Sequence, residues 1–197
     1  MKVLVACEFS GIVRDAFLAK GHDAWSCDLL PTESPGPHIQ GDVLEILNDG
    51  WDMMIAHPPC THLACSGAAW FSKKIMVQKE SLRFVANLLF APIPKICIEN
   101  PVGIISSRIR PPDQIIQPYQ FGEPFQKTTC LWLEGLPKLK PTCMDAPLLG
   151  ELVDKGEFIT YESGRTMPKW YAELRGNGHE RSKFWPSIAK AMADQWG

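Results

Sequence analysis

The fold turns on Lys2-Val3-Leu4-Val5-Ala6-Cys7, followed at once by Glu8-Phe9-Ser10-Gly11 and then by Ile12-Val13-Arg14-Asp15-Ala16-Phe17. After Lys2 the first run is apolar from Val3 to Cys7, as a strand covered on both faces must be. In the third, Ile12, Val13, Ala16 and Phe17 share one face of a helix over residues 11–19. A buried strand, a short turn and an amphipathic helix form the opening unit of a parallel α/β sheet.

The alternation continues. Residues 23–27 read as a second strand, 30–41 as a loop rich in Pro and Gly, and 43–47 as a helical turn. Residues 52–56 read as a third strand ending at His57-Pro58-Pro59-Cys60, 76–90 as a longer helix and 95–98 as a fourth strand. Strands separated by helices predict a mostly parallel sheet with helices on both faces. Beyond Glu99 the pattern changes. Residues 115–118 and 129–133 read as an antiparallel edge pair around Gly122-Glu123-Pro124. Residues 134–183 read as irregular, and 184–196 as a closing helix with Ile188, Ala189 and Met192 inward. The expectation is one α/β domain over residues 1–197 with an irregular insert.

Composition narrows the function. A chain of 197 residues with 45% hydrophobic and 21% charged side chains is globular in character. Its apolar runs, such as residues 85–93, are too short to cross a bilayer. The start lacks the pattern of a secretion signal, so a cytoplasmic location with no membrane association is expected. Seven cysteines show no paired framework; Cys7, Cys27, Cys97 and Cys130 lie in or beside apolar runs and read as small buried hydrophobes with reduced thiols. A net charge of −2 argues against a strong general nucleic-acid binder. Yet residues 163–190 hold six basic residues against two acidic ones, which fits either a phosphate-facing patch or a solvated surface.

In an open parallel sheet, ligands bind beyond the carboxyl ends of the strands. Every strand end here carries polar or reactive residues: Glu8-Phe9-Ser10-Gly11-Ile12 after the first, Asp28 after the second, Pro58-Pro59-Cys60 after the third and Glu99-Asn100 after the fourth, with Asp42 behind Gly41. Singly, Ser10-Gly11 could be a helix start, Asp28 and Asp42 turn residues, and Cys60 an inert loop cysteine. A carboxylate at the end of Ile96-Cys97-Ile98 needs partners or a ligand. His57, Cys60, His62 and Cys65 have the residue types of a zinc site but no matching spacing or second cluster, so no metal is expected.

Taken in order, these residues resemble the cytosine-5 DNA methyltransferases. Phe9-Ser10-Gly11-Ile12 is similar to that family's Phe-Ser-Gly-Ile turn, and Gly41-Asp42-Val43 to its Gly-Asp-Ile. Pro59-Cys60 is similar to its nucleophile dipeptide, Glu99-Asn100 to its Glu-Asn, and Phe121-Gly122-Glu123-Pro124 to its Tyr-Gly-x-Pro. The resemblance covers about residues 1–133. It implies a Rossmann-like S-adenosylmethionine-dependent methyltransferase fold. Phe9, Ser10, Gly11, Ile12, Asp28, Asp42, Val43 and Pro58 would hold S-adenosylmethionine. Cys60 and Glu99 would be catalytic, and Pro59, Asn100, Lys127 and Thr129 would meet the substrate base. Phe9 would pack on the adenine, Asp28 would take the ribose hydroxyls and Asp42 the adenine amino group.

The chain departs from the family in several places. Lys127 and Thr129 stand where the family carries two arginines, Thr61 follows the Pro-Cys and Pro101 follows the Glu-Asn. Gly176-Asn177-Gly178 lies too far upstream to match the family's Gly-Asn turn. Residues 134–183 take the place of a target-recognition domain and are too few for a second core. Such compact forms suggest a phage or prophage source, hence a host cytoplasm. The expected partner is therefore DNA with low sequence selectivity, or with a protein partner for target choice. The alternatives are the same chemistry on a free nucleotide or RNA, and a non-catalytic nucleic-acid- or protein-binding module on a methyltransferase fold.

Overall fold

A computed structural model describes residues 1–65, 75–143, 145 and 152–197; residues 144 and 146–151 of the expected insert lie outside them. The strands are β1 (Lys2–Ala6), β2 (Asp23–Asp28), β3 (His38–Gln40), β4 (Met53–Ala56), β5 (Lys95–Pro101), β6 (Gln114–Ile116), β7 (Thr129–Glu134), β8 (Phe158–Thr160) and β9 (Thr166–Pro168). The helices are α1 (Ile12–Leu18), α2 (Ile75–Leu89), α3 (Ile105–Arg108), α4 (Lys169–Glu173), α5 (Gly178–Ser182) and α6 (Pro186–Trp196). Seven strands form one sheet in the order β3-β2-β1-β4-β5-β7-β6, and β8 pairs with β9 in a separate hairpin. The first five run parallel, and β7 lies antiparallel between β5 and β6. This is the mostly parallel Rossmann-like α/β sheet expected from the sequence, with its antiparallel edge pair.

The two-residue period of the strands divides the core. Val3, Val5, Met53 and Ile55 point to one face, where they meet Val13 and Phe17 of α1 and Ile188, Ala189 and Met192 of α6. Leu4, Ala6, Met54 and Ala56 point to the other, against Val85, Leu88 and Leu89 of α2. From β1 the chain steps one way to β2 and β3, then returns to the other side of β1 for β4 and β5. The carboxyl ends of β1 and β4 therefore flank the point where the winding reverses, which is where an α/β sheet opens a crevice.

Several expectations need correction. Strand β5 continues through Glu99 and Asn100 to Pro101, because β7 pairs with it past the end of β4. The Pro- and Gly-rich loop contains β3, a three-residue strand beside β2. The segment expected to be irregular holds β7's last residue, the β8–β9 hairpin and the short helices α4 and α5. Cys27, Cys97 and Cys130 are buried as expected, but Cys7 is only partly so and has a left-handed φ of 58°. That strained turn swings Glu8 back under α1, where its buried carboxylate accepts hydrogen bonds from the backbone N–H groups of Val13 (2.7 Å) and Arg14 (3.2 Å).

Arg14 is a fully buried cation that the sequence reading passed over. Its guanidinium donates to Asp15, Ser26 Oγ, Thr32 Oγ1 and the carbonyl of Ser34, tying the loop after β2 to the sheet. It also explains Gly11, whose φ is 76°: a side chain there would strike the guanidinium. Arg14→Met strands these acceptors, and a loss on the order of 3 kcal/mol is expected in urea unfolding. Arg14→Lys should not restore it, because an ammonium group cannot span the four partners. A midpoint unchanged in Arg14→Met would show that the loop does not depend on this residue.

Candidate active site

Cys60 ends a segment in which two prolines fix the backbone after β4. Its carbonyl accepts from the N–H groups of Leu63 (3.0 Å) and Ala64 (2.9 Å), closing a tight turn. That turn is stitched to the chain after β5: Cys65 N–H donates to the Val102 carbonyl (3.0 Å) and Ile104 N–H to the Leu63 carbonyl (2.9 Å). Gly103 lies in this seam, and any side chain there would collide with the Leu63 backbone. The Asn100 side chain completes the join by donating to the Pro58 carbonyl at 2.7 Å. Asn100 is 1% exposed, so it positions the loop that carries Cys60 and presents no surface to a ligand.

Glu99 lies on β5, and its Oε2 is 3.1 Å from His57 Nδ1. His57 packs its ring on Phe184 of the C-terminal segment (4.6 Å between centroids), and its buried Nε2 has no partner among the described residues. Lys127 reaches in from the loop before β7. Its ammonium group sits 4.2 Å above the Trp185 ring and donates to the Arg181 carbonyl at 3.3 Å. Thr129 is wholly buried; its hydroxyl donates to the Lys127 carbonyl (3.0 Å), so it shapes the Lys127 turn from beneath.

The three ionisable groups act on one another. Desolvation pushes the Cys60 thiol above its ordinary value and the Glu99 carboxylate adds to this, while Lys127 and Arg181 pull it down. Burial lowers Lys127, and Glu99 and Cys60 raise it. Glu8, on the other flank of His57, is raised by burial against the opposing pull of His57 and its backbone donors.

A cleft of about 400 Å³ opens at the ends of β1, β2 and β4, against Pro59, the residue before Cys60. Asp28, Asp42, Val43 and Pro59 line it, as do Cys7 and Leu29. Glu80, Ser81 and Phe84 of α2 form the far wall. The sequence reading missed these three, although positions 80 and 84 share a helix face. Burial pushes the Cys7 thiol up strongly. Asp28 Oδ1 accepts from Leu30 N–H, and Asp42 caps the turn Val43–Glu45 through Leu44 N–H. Turn and cleft roles therefore coexist at both aspartates.

The other expected cofactor contacts lie elsewhere. Pro58 is buried behind Pro59, and Ile12 packs into the α1–α6 core. Ser10 Oγ serves the start of α1, accepting from Ile12 N–H at 3.4 Å. Phe9 stacks on His179 of α5 (4.7 Å), which Glu33 holds in place together with Lys183. Those two partners hold the Glu33 carboxyl below its ordinary value.

No protein-family model matches the chain, and no curated protein does. Among solved structures it is similar to a crystal structure of an E. coli prophage-encoded protein assigned as a DNA modification methyltransferase. The identity is 16% and the TM-score 0.44, over 87% of this chain and 63% of that one. The chain thus spans less than two thirds of that protein's length.

The charge relations predict opposite effects on Cys60. Lys127→Met removes an influence that lowers the thiol, so alkylation by iodoacetamide near neutral pH should slow several-fold. Glu99→Gln removes one that raises it and should speed the same reaction. Mass spectrometry of the Cys60 peptide from about pH 6 to pH 10 measures both. Identical profiles in the two variants would break the proposed coupling.

Proposed function

We propose that the chain transfers the methyl group of S-adenosylmethionine to C5 of cytosine in DNA through a covalent adduct at Cys60. What carries this reading is the meeting of a thiol, a carboxyl group and an ammonium group (Cys60, Glu99 and Lys127) beside a cleft that carries Asp28 and Asp42. The cleft falls within the roughly 300–1,000 Å³ of small-molecule sites. Its two carboxylates suit hydroxyl and amino groups, and Leu29, Val43 and Phe84 suit a heteroaromatic ring. S-adenosylmethionine bound there would supply an electrophilic methyl group.

The chain's own residues would do the rest. The Cys60 thiolate forms a bond to C6, and the ring electrons move to make C5 an enamine-like nucleophile. Glu99 takes up a proton as the base binds and donates it in a hydrogen bond to N3, which relieves the charge that builds on the ring. His57 Nδ1 holds that carboxyl group in place, and Lys127 favours the thiolate before attack. Once C5 carries the methyl group, a base takes the C5 proton and the Cys60–C6 bond breaks, returning the thiolate. Asn100 and Thr129 take part through the Pro58 carbonyl and the Lys127 turn. Target choice is either weak or supplied by a protein partner, and the reaction belongs in the cytoplasm where DNA lies (a host's, for a phage protein).

A second reading keeps the chemistry and changes the substrate to a free nucleotide or RNA. It is favoured by Lys127 and Thr129, which stand where the resembled family carries two arginines, and by the short segment 134–183 in place of a target-recognition domain. An oligonucleotide containing 5-fluorocytosine tests the first reading, since it cannot lose its C5 substituent as a proton. With cofactor present, a stable adduct at Cys60 is expected. Cys60→Ala should abolish the adduct and turnover, while calorimetry shows cofactor binding nearly unchanged. Labelled methyl transfer offered in parallel to DNA, RNA and dCMP identifies the substrate. Label in dCMP or RNA alone would overturn the DNA assignment, and failure to bind the cofactor would overturn both readings.

A further inference from the structure

A second cavity, of about 420 Å³, lies in the C-terminal segment and is lined by Tyr161, Arg165, Tyr171, Arg175 and Arg181. The hairpin β8–β9 supplies the first two, and its turn is closed by Tyr161 N–H donating to the Arg165 carbonyl at 2.9 Å. Tyr171 comes from α4, Arg175 from the turn after it and Arg181 from α5. The Arg181 guanidinium lies 4.1 Å over the Tyr171 ring and donates to its hydroxyl at 2.9 Å.

The pairing of charges separates these arginines from the lysines around them. Lys169, Lys183 and Lys190 each form an ion pair, with Glu157, with Glu33 and Glu180, and with Asp194. Among the described residues, Arg165, Arg175 and Arg181 form none. Three guanidinium groups around one cavity repel one another unless an anion joins them, and their planar forks match phosphate oxygens. Tyrosine rings at the same cavity offer a surface for a nucleobase. Arg181 also links the cavity to the candidate active site, since its carbonyl accepts from Lys127 Nζ at 3.3 Å.

We propose that this cavity binds the phosphodiester backbone of the DNA strand flanking the target cytosine, with a neighbouring base against Tyr161. The proposal rests on the methyl-transfer reading for its substrate class. It gives the short C-terminal segment the task of gripping backbone, which fixes position and reads no sequence.

Fluorescence anisotropy with single- and double-stranded labelled oligonucleotides, titrated between about 50 and 200 mM salt, tests it. In Arg165→Gln/Arg175→Gln, affinity should fall about tenfold or more. The slope of log affinity against log salt should shrink by about 0.7–0.9 for each arginine removed. Arg165→Lys/Arg175→Lys should keep most of the slope while losing part of the affinity, and cofactor binding by calorimetry should be the same in the unaltered protein and both variants. An unchanged slope in the glutamine variant overturns the proposal, as does tighter binding of RNA than of DNA with the same sequence. Loss of slope in a protein that transfers no methyl group would support the cavity and overturn the enzymatic reading, so the two failures are distinct.

Discussion

The hydrogen bond from the Asn100 amide to the Pro58 carbonyl is 2.7 Å long, shut away from water, and spans the ends of two neighbouring strands. Pro58 and Pro59 have fixed φ angles, so pinning one carbonyl orients the whole approach to Cys60. Without that pin, the turn closed on the Cys60 carbonyl would have only its backbone seam to hold it beside β5. The join has a cost: Asn100 Oδ1 is buried without a partner among the described residues. Burial of both strands' apolar residues, from Met54 and Ala56 to Ile96 and Ile98, offsets it.

Around this join the charges are arranged by exposure as much as by distance. Glu8 is buried deep and committed to α1; Glu99 is partly open and committed to His57. His57 stands between them. Lys127, lodged over Trp185, faces Glu99 and Cys60 together. A thiol placed between a carboxylate that resists its ionisation and an ammonium that favours it responds strongly to whichever of the two a ligand neutralises.

The parts of this arrangement legible in the sequence are those fixed by local pattern. The apolar run of β1, the spacing along α1 and α6, and the order of strand ends are visible there, and with them the position of Asp28, Asp42 and Cys60 at or beyond strand ends of one sheet. What remained hidden depends on partners far along the chain. The last three residues of β5 are polar or proline and read as a loop; only pairing with β7 makes them strand. The strands β8 and β9 are largely exposed and show no alternation, so nothing local marked them. Phe9 carried the look of a cofactor contact, but its ring is taken by His179, which no spacing near residue 9 could announce. Nothing in the sequence around Arg14 marks it as buried, and only the loop folded over it shows its role.

Gly103 bears on how the edge moves. The turn that carries Cys60 rests directly on the backbone at this residue, two residues past the end of β5, and Glu99 lies four residues earlier, on β5 itself. Backbone resting on backbone leaves no side chain whose rotation could let the two slide. A shift of the main chain under Cys60 is therefore passed to the main chain leading back to Glu99, with only the two side chains' own rotamers left to adjust.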